Sequence, residues 1–114
     1  MDNCIFCKIA KGEIPAKIVY EDDQMMAFHD LSPVSPVHVL VIPKMHIDDV
    51  RCLNSENIGV ISHLLLKIKD IAKELGVDES GFRLVNNCGV EGGQTVGHLH
   101  FHLGGGRQFN WPPG

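Results

Sequence analysis

The sequence predicts an α+β domain, an antiparallel sheet of about five strands carrying one long and one short helix. Three observations predict it. Short apolar or alternating segments recur along the chain, and a single stretch has the 3.6-residue period of an amphipathic helix. The strand candidates also neighbour one another in sequence, which favours antiparallel pairing. The 114 residues suit one compact domain, residues 1–114, with a real core and no room for a second.

In chain order, residues 4 to 10 read as a short helical turn closed by Gly12. "KIVYE" and "MMAFHD" follow as two strands joined across the acidic turn at Asp22 and Asp23. "LSPVSP" then breaks regular structure, because Pro33 and Pro36 restrict themselves and the residues before them. "HVLVIP" is a buried strand ending at Pro43. The long helix runs from about Ser55 to Leu75, where Ile58, Ile61, Leu64, Leu65, Ile68, Ile71, Ala72 and Leu75 form an apolar stripe. Asn54 or Ser55 can cap its start and Gly76 its end. "GFRLVNN" resumes strand character, "CGVEGGQT" is a glycine-rich loop, and "GHLHFHLGGG" forms the last strand.

Composition narrows the function. The formal charge is −4 and Lys and Arg occur singly, so no long-range field draws nucleic acid or an anionic membrane to this chain. Any phosphate must be gripped locally. No stretch approaches the roughly 18 apolar residues of a membrane span, and the N-terminus lacks a secretion signal, so a cytoplasmic protein is expected. Its four cysteines are then reduced thiols or metal ligands rather than disulfides. Cys52 and Cys88 stand alone, whereas Cys4 and Cys7 form a C-x-x-C pair.

The run "GHLHFH" carries the chemistry. On a strand, His98, His100 and His102 share one face while Leu99, Phe101 and Leu103 take the other. Same-face neighbours lie roughly 6.5 to 7 Å apart, so the outer two imidazoles start about 13 Å from each other. That suits a phosphate chain better than one ion shared by all three. Imidazole titrates near neutrality, so one ring can be a neutral nucleophile while its neighbours donate protons. Such a nucleophile needs its other nitrogen to donate to a fixed acceptor, and a backbone carbonyl beside the strand would serve. The glycine loop just before the run can offer backbone N–H groups to phosphoryl oxygens. His29 and His63 read as structural. His38, opening a buried strand, and Asp30, before "LSP", are ambiguous when taken alone.

Beyond these local readings, "GQTVGHLHFHLGGGRQFNWPPG" resembles the C-terminal signature of the histidine triad superfamily, in its nucleotide-binding phosphoramidase branch. "AFHD", the "SP" turn and the histidine before "VLVIPK" are similar to the first half of that branch, so the likeness covers nearly the whole chain. The resemblance implies a histidine-triad-like fold and an enzyme that cleaves purine nucleoside 5′-phosphoramidates through a covalent nucleotidyl-histidine. It implies His100 as nucleophile, His102 and His38 completing the imidazole set, His98 supporting it, and Thr95 contacting the reacting group. It further implies that Asp30 and Leu31 bind the ribose and that Asn87, Gly93, Gln94 and Thr95 bind the phosphate, beside His100 and His102. A homodimer and no organic cofactor complete the expectation. The chain departs from the usual pattern at Thr95, where serine is common, at Gly97, and at Gly104, where the pattern continues with an aliphatic residue.

Cys4 and Cys7 can hold two corners of a tetrahedral zinc site. Relatives with this N-terminal motif resemble a Cys-Cys-His-His structural zinc site, which would recruit His46 and His98. A redox pair and two unligated thiols remain as alternatives. Two further functions also stand: a non-catalytic nucleotide- or metal-binding interaction module, and a hydrolase of dinucleoside polyphosphates or sugar nucleotides.

Overall fold

The computed structural model describes residues 3–114. Its elements are helix α1 (Ile5–Ala10), strands β1 (Ile18–Glu21), β2 (Met25–His29) and β3 (Val37–Pro43), helix α2 (Ile58–Glu74), and strands β4 (Phe82–Val85) and β5 (Phe101–Gly105). A short 3-10 turn at Val50–Cys52 precedes α2. The five strands form one antiparallel sheet in the order β1-β2-β3-β5-β4, the α+β architecture the sequence predicts. Among the described residues no helix is long and apolar enough to cross a membrane.

Both faces of this sheet are covered, which is why β2 and β3 read as nearly continuous apolar runs rather than alternating ones. Met25, Ala27, Val39, Val41 and Leu103 face α2 and pack on Leu64, Ile68, Ile71 and Ala72. Met26, Phe28, Leu40 and Ile42 point the other way, under Phe6 and Ile9 of α1. His102 pairs with Leu40 across β3 and β5, and His38 pairs with Gly104, so both histidines lie on the α1 face. The register therefore brings residues 64 positions apart in sequence side by side.

Two elements differ from expectation. The long helix begins at Ile58 rather than Ser55, because Asn54 Oδ1 accepts from the Glu56 and Asn57 N–H groups while Asn57 Oδ1 accepts from Asn54 N–H. That reciprocal pair closes a turn of its own ahead of the helix. Its far end follows the prediction, with Gly76 at φ +75° just beyond the last turn. The stripe is also narrower than read: Ile58 and Leu65 are 44% and 46% exposed.

The second difference concerns the histidine run. Regular strand begins only at Phe101, so His98 and His100 precede the ladder. Leu99 is buried with Ile47 and Ile61 in a small separate cluster, and its N–H donates to Ile47 O at 2.6 Å. Asn86 Nδ2 donates to His100 O at 2.8 Å. Partners outside the sheet thus hold residues 98 to 100, and this bend sends His98 and His102 to different places.

Candidate active site and metal centre

His38, His100 and His102 converge on the α1 face of the sheet. The ring centroids of His100 and His102 lie 5.1 Å apart, and those of His38 and His102 lie 5.2 Å apart. His100 is 3% exposed and His38 7%, whereas His102 is half-buried. Phe6 of α1 stands edge-on to His100 at 5.2 Å and limits how that ring can turn.

Main-chain partners set the tautomers. His100 Nδ1 donates to the His98 carbonyl at 2.8 Å, so in the neutral ring Nε2 carries the lone pair. This is the acceptor that sequence reasoning requires and cannot locate. The Val34 N–H can only donate, so His38 Nδ1 accepts from it at 3.1 Å and His38 carries its proton on Nε2. That proton is donated to His102 Nδ1 at 2.9 Å, leaving the proton of His102 on its own Nε2. Asp30 Oδ2 lies 3.5 Å from His38 Nε2, which places a carboxylate behind the pair. Burial pushes the His102 pKa below its usual value, and the nearby His100 and His38 add to that.

A cleft of about 260 Å³ opens beside these rings, walled by Ile5, Phe6, Ile9 and Phe28 and edged by Asp30 and Leu31. Its apolar walls with a few polar groups at one end suit a planar base with a ribose at the mouth. Leu31 is 93% exposed at that rim. Asp30 Oδ1 accepts from the Ser32 N–H at 2.7 Å, so Oδ2 is the oxygen turned toward His38. Thr95 borders the same cleft. Asn87 lies on the other side of His102, with Nδ2 donating to Gly92 O at 2.6 Å. Gly92 has to be glycine, since a Cβ there would sit 2.3 Å from Cys88 O. Gly93 packs beside Asn87, at φ +77°. The Gln94 side chain is engaged within the protein: Oε1 accepts from Gly89 N–H, and Nε2 donates to Asp48 O and Val96 O. It braces the loop.

The third histidine of the run joins a different group. Cys4 Sγ lies 3.3 Å from His98 Nδ1, and Cys7 Sγ lies 3.2 Å from His46 Nδ1 and 3.6 Å from His98 Nδ1. All four ligand atoms fall within 4.8 Å of one another. The edges of a tetrahedron with zinc–sulfur and zinc–nitrogen bonds of ordinary length are about 3.4 to 3.8 Å, so this set fits zinc with little movement. The outer nitrogens are already engaged: His98 Nε2 with Pro43 O at 2.8 Å and His46 Nε2 with Asp48 Oδ1 at 2.7 Å. Those partners turn both Nδ1 lone pairs inward, as metal-ligating imidazoles require. Burial and the neighbouring Cys4 raise the Cys7 pKa, and burial lowers that of His98. A cation at the centre would reverse the cost of holding two thiolates there. This donor set favours the structural zinc over the redox pair and the unligated thiols.

Several contributors escaped sequence reasoning. Phe6 is one of several apolar residues on α1, and Asn86 is one of two adjacent asparagines with nothing in the sequence to separate it from Asn87. The Pro43 and His98 carbonyls are main-chain groups and leave no trace in residue identity. His63 is structural, as expected: its Nε2 meets Asp22 Oδ2 at 2.6 Å and ties α2 to the β1–β2 turn.

Comparison with known proteins identifies the family. The family model described as scavenger mRNA decapping enzyme C-term binding matches residues 3–108. An HIT-like protein of Synechocystis sp. is 52% identical over 113 residues, covering 99% of this chain and 98% of the relative. A 14 kDa zinc-binding protein of Brassica juncea is 49% identical, covering 96% of this chain and 98% of the relative. The crystal structure of an HIT family hydrolase from Legionella pneumophila superposes with a TM-score of 0.95 at 48% identity, over 98% of this chain and 100% of that one.

Proposed function

The chain belongs to the histidine triad (HIT) family, and on that premise we propose that it is a nucleotide-binding hydrolase cleaving purine nucleoside 5′-phosphoramidates to the nucleoside monophosphate. The observation that carries this reading is the pairing of His100, whose Nδ1–H is spent on the His98 carbonyl, with His102, whose proton is left on Nε2 beside it. One ring is poised to attack and its neighbour to donate.

In the proposed reaction the base lies between the apolar walls of the first cleft and Asp30 accepts from the ribose diol, with Leu31 against the sugar. His100 Nε2 attacks the α-phosphorus, forming a phosphorus–nitrogen bond as the bond to the amine breaks. The departing nitrogen accepts a hydrogen bond from His102 Nε2–H, a tautomer held by His38, and takes its proton from a water at the open cleft, leaving hydroxide. That hydroxide then attacks phosphorus, the bond to His100 breaks, and the nucleoside monophosphate leaves. Thr95, Asn87 and the backbone around Gly93 line the phosphate, and Gln94 holds that loop in place.

Cys4, Cys7, His46 and His98 would hold the zinc, which supplies cross-linking rather than reactivity. The name of the Brassica juncea relative supports this. His98 itself then acts through its carbonyl, which orients His100. We also propose a homodimer. Among the described residues β4 pairs only with β5, which leaves it as one of the two edge strands with its outer side open, and Leu84 on it and Leu66 on α2 are 38% and 66% exposed.

Intact-protein mass spectrometry tests the chemistry. Wild type and His100→Asn are each mixed with adenosine 5′-phosphoramidate and quenched without acid. An adenylyl adduct in wild type alone, with release of AMP, is the expected result. Neither adduct nor AMP from protein that still binds AMP would leave only a binding module.

A further inference from the structure

The same imidazoles open onto a second hollow. His102 borders both clefts, His100 only the first and His38 only the second. The second cleft, of about 250 Å³, is walled by Val34, Val85 and Phe109. Gly104 forms part of its floor: a Cβ there would stand 3.0 Å from Phe109 Cζ and 3.4 Å from Ser35 Oγ. The missing side chain is what allows the Phe109 ring to lie so close to the sheet.

Charge is distributed unevenly around this ring. The chain contains three arginines. Arg51 is matched by Asp49 at 2.8 Å. Arg83 and Arg107 instead both stack on Phe109, at 5.0 and 4.3 Å from its centroid. Among the described residues neither has a carboxylate within ion-pair distance. Their hydrogen bonds go to neutral carbonyls: Arg83 Nη2 to Asn110 O at 2.8 Å, and Arg107 to Val34 O and Gln108 O. A guanidinium carries five N–H donors, so each retains capacity for an anion. In a chain with net charge −4, two guanidinium groups stacked on one ring concentrate positive charge locally.

Phosphoryl transfer places the attacking and leaving atoms roughly in line on opposite sides of phosphorus. With His100 attacking from the first cleft, the leaving group departs past His102 toward the second. We propose that the second cleft is the leaving-group subsite and that Arg83 makes it selective for leaving groups that join an apolar portion to an anionic substituent, a carboxylate or a phosphate. This rests on the phosphoramidase reading for the direction of departure. Arg83 is the specificity-determining residue, half-buried in the wall, and Arg107, more exposed, adds to the field.

The test measures binding, independently of turnover. Adenosine 5′-N-(carboxymethyl)sulfamate and its neutral primary amide mimic the substrate with a sulfamate linkage that does not hydrolyse, and an N-(2-phosphonooxyethyl) sulfamate supplies the phosphate. Calorimetry on the wild-type protein is expected to give at least one anionic compound about fivefold or more tighter binding than the amide. Which of the two anions binds tighter names the source. The advantage should fall to within twofold in Arg83→Gln, return in part in Arg83→Lys, and fall less in Arg107→Gln. Equal affinities of both anions and the amide in wild type would overturn the subsite, as would an advantage that survives Arg83→Gln in protein shown to be folded by circular dichroism. Turnover of unsubstituted adenosine phosphoramidate is scored separately. If it fails while the anion advantage persists, the hydrolase reading falls and the anion subsite stands; the converse removes only the subsite.

Discussion

The two histidine clusters use the same residue type in opposite ways. At the Cys4–Cys7 centre, the Nε2 atoms of His46 and His98 are engaged by Asp48 and the Pro43 carbonyl, and Nδ1 faces the sulfurs. At the His38–His100–His102 cluster, the Nδ1 atoms of His38 and His100 are engaged by the Val34 N–H and the His98 carbonyl, so His38 Nε2 meets His102 and His100 Nε2 is left for the cleft. One set is closed around a point, and the other opens onto a hollow. The difference lies in which ring nitrogen the surrounding protein occupies, and that choice suits one set to holding an ion and the other to proton chemistry. His98 joins the two, with its imidazole in one and its carbonyl in the other.

Breaking one cluster should therefore leave the other's signature readable. The largest effect is expected from His100→Asn, which removes the nitrogen proposed to attack: turnover of the phosphoramidate should fall by about a thousandfold or more, measured by AMP release, while zinc content stays that of wild type. Cys7→Ser comes next. It should abolish stoichiometric zinc by elemental analysis and lower stability by roughly 2–4 kcal/mol in denaturant titrations, because α1 loses its cross-link to the sheet. A variant that keeps its zinc after this change would break the comparison.

The pH response sharpens it. His102 has a folded-state pKa pushed below its usual value by burial and by His100 and His38. The unfolded chain therefore takes up this proton first as pH falls, so the stability contributed by the neutral ring is complete above about 6.5 and is lost progressively below it. Denaturant midpoints at pH 7.5 and 5.5 should show that drop, and His102→Gln should flatten it. The smallest effect is expected away from both clusters, at Asp22. Against burial, which pulls its pKa up, hydrogen bonds from His63, the Gln24 N–H, Tyr20 and the Met25 N–H hold its carboxyl well below the usual carboxylate range. Asp22→Ala should cost about 1 kcal/mol in a thermal melt and leave zinc content and AMP release alone.

Sequence by itself determined the α+β class, the hairpin across Asp22 and Asp23, the long helix with its Gly76 stop, and the residue types gathered at the site, because periodicity, turn chemistry and side-chain pKa are local properties. It misjudged the histidine run, since alternation alone implied one shared face. Whether a segment stays in the ladder depends on partners elsewhere, here Ile47 and Asn86. The family resemblance anticipated His98 beside the cysteines and His38 beside His102; only the tertiary structure supplied the bend that parts them, chose the nitrogen each ring keeps free, and set two arginines on one phenylalanine. Those outcomes rest on main-chain carbonyls, N–H groups and sheet register, which every residue type supplies alike and which become specific only when distant segments meet.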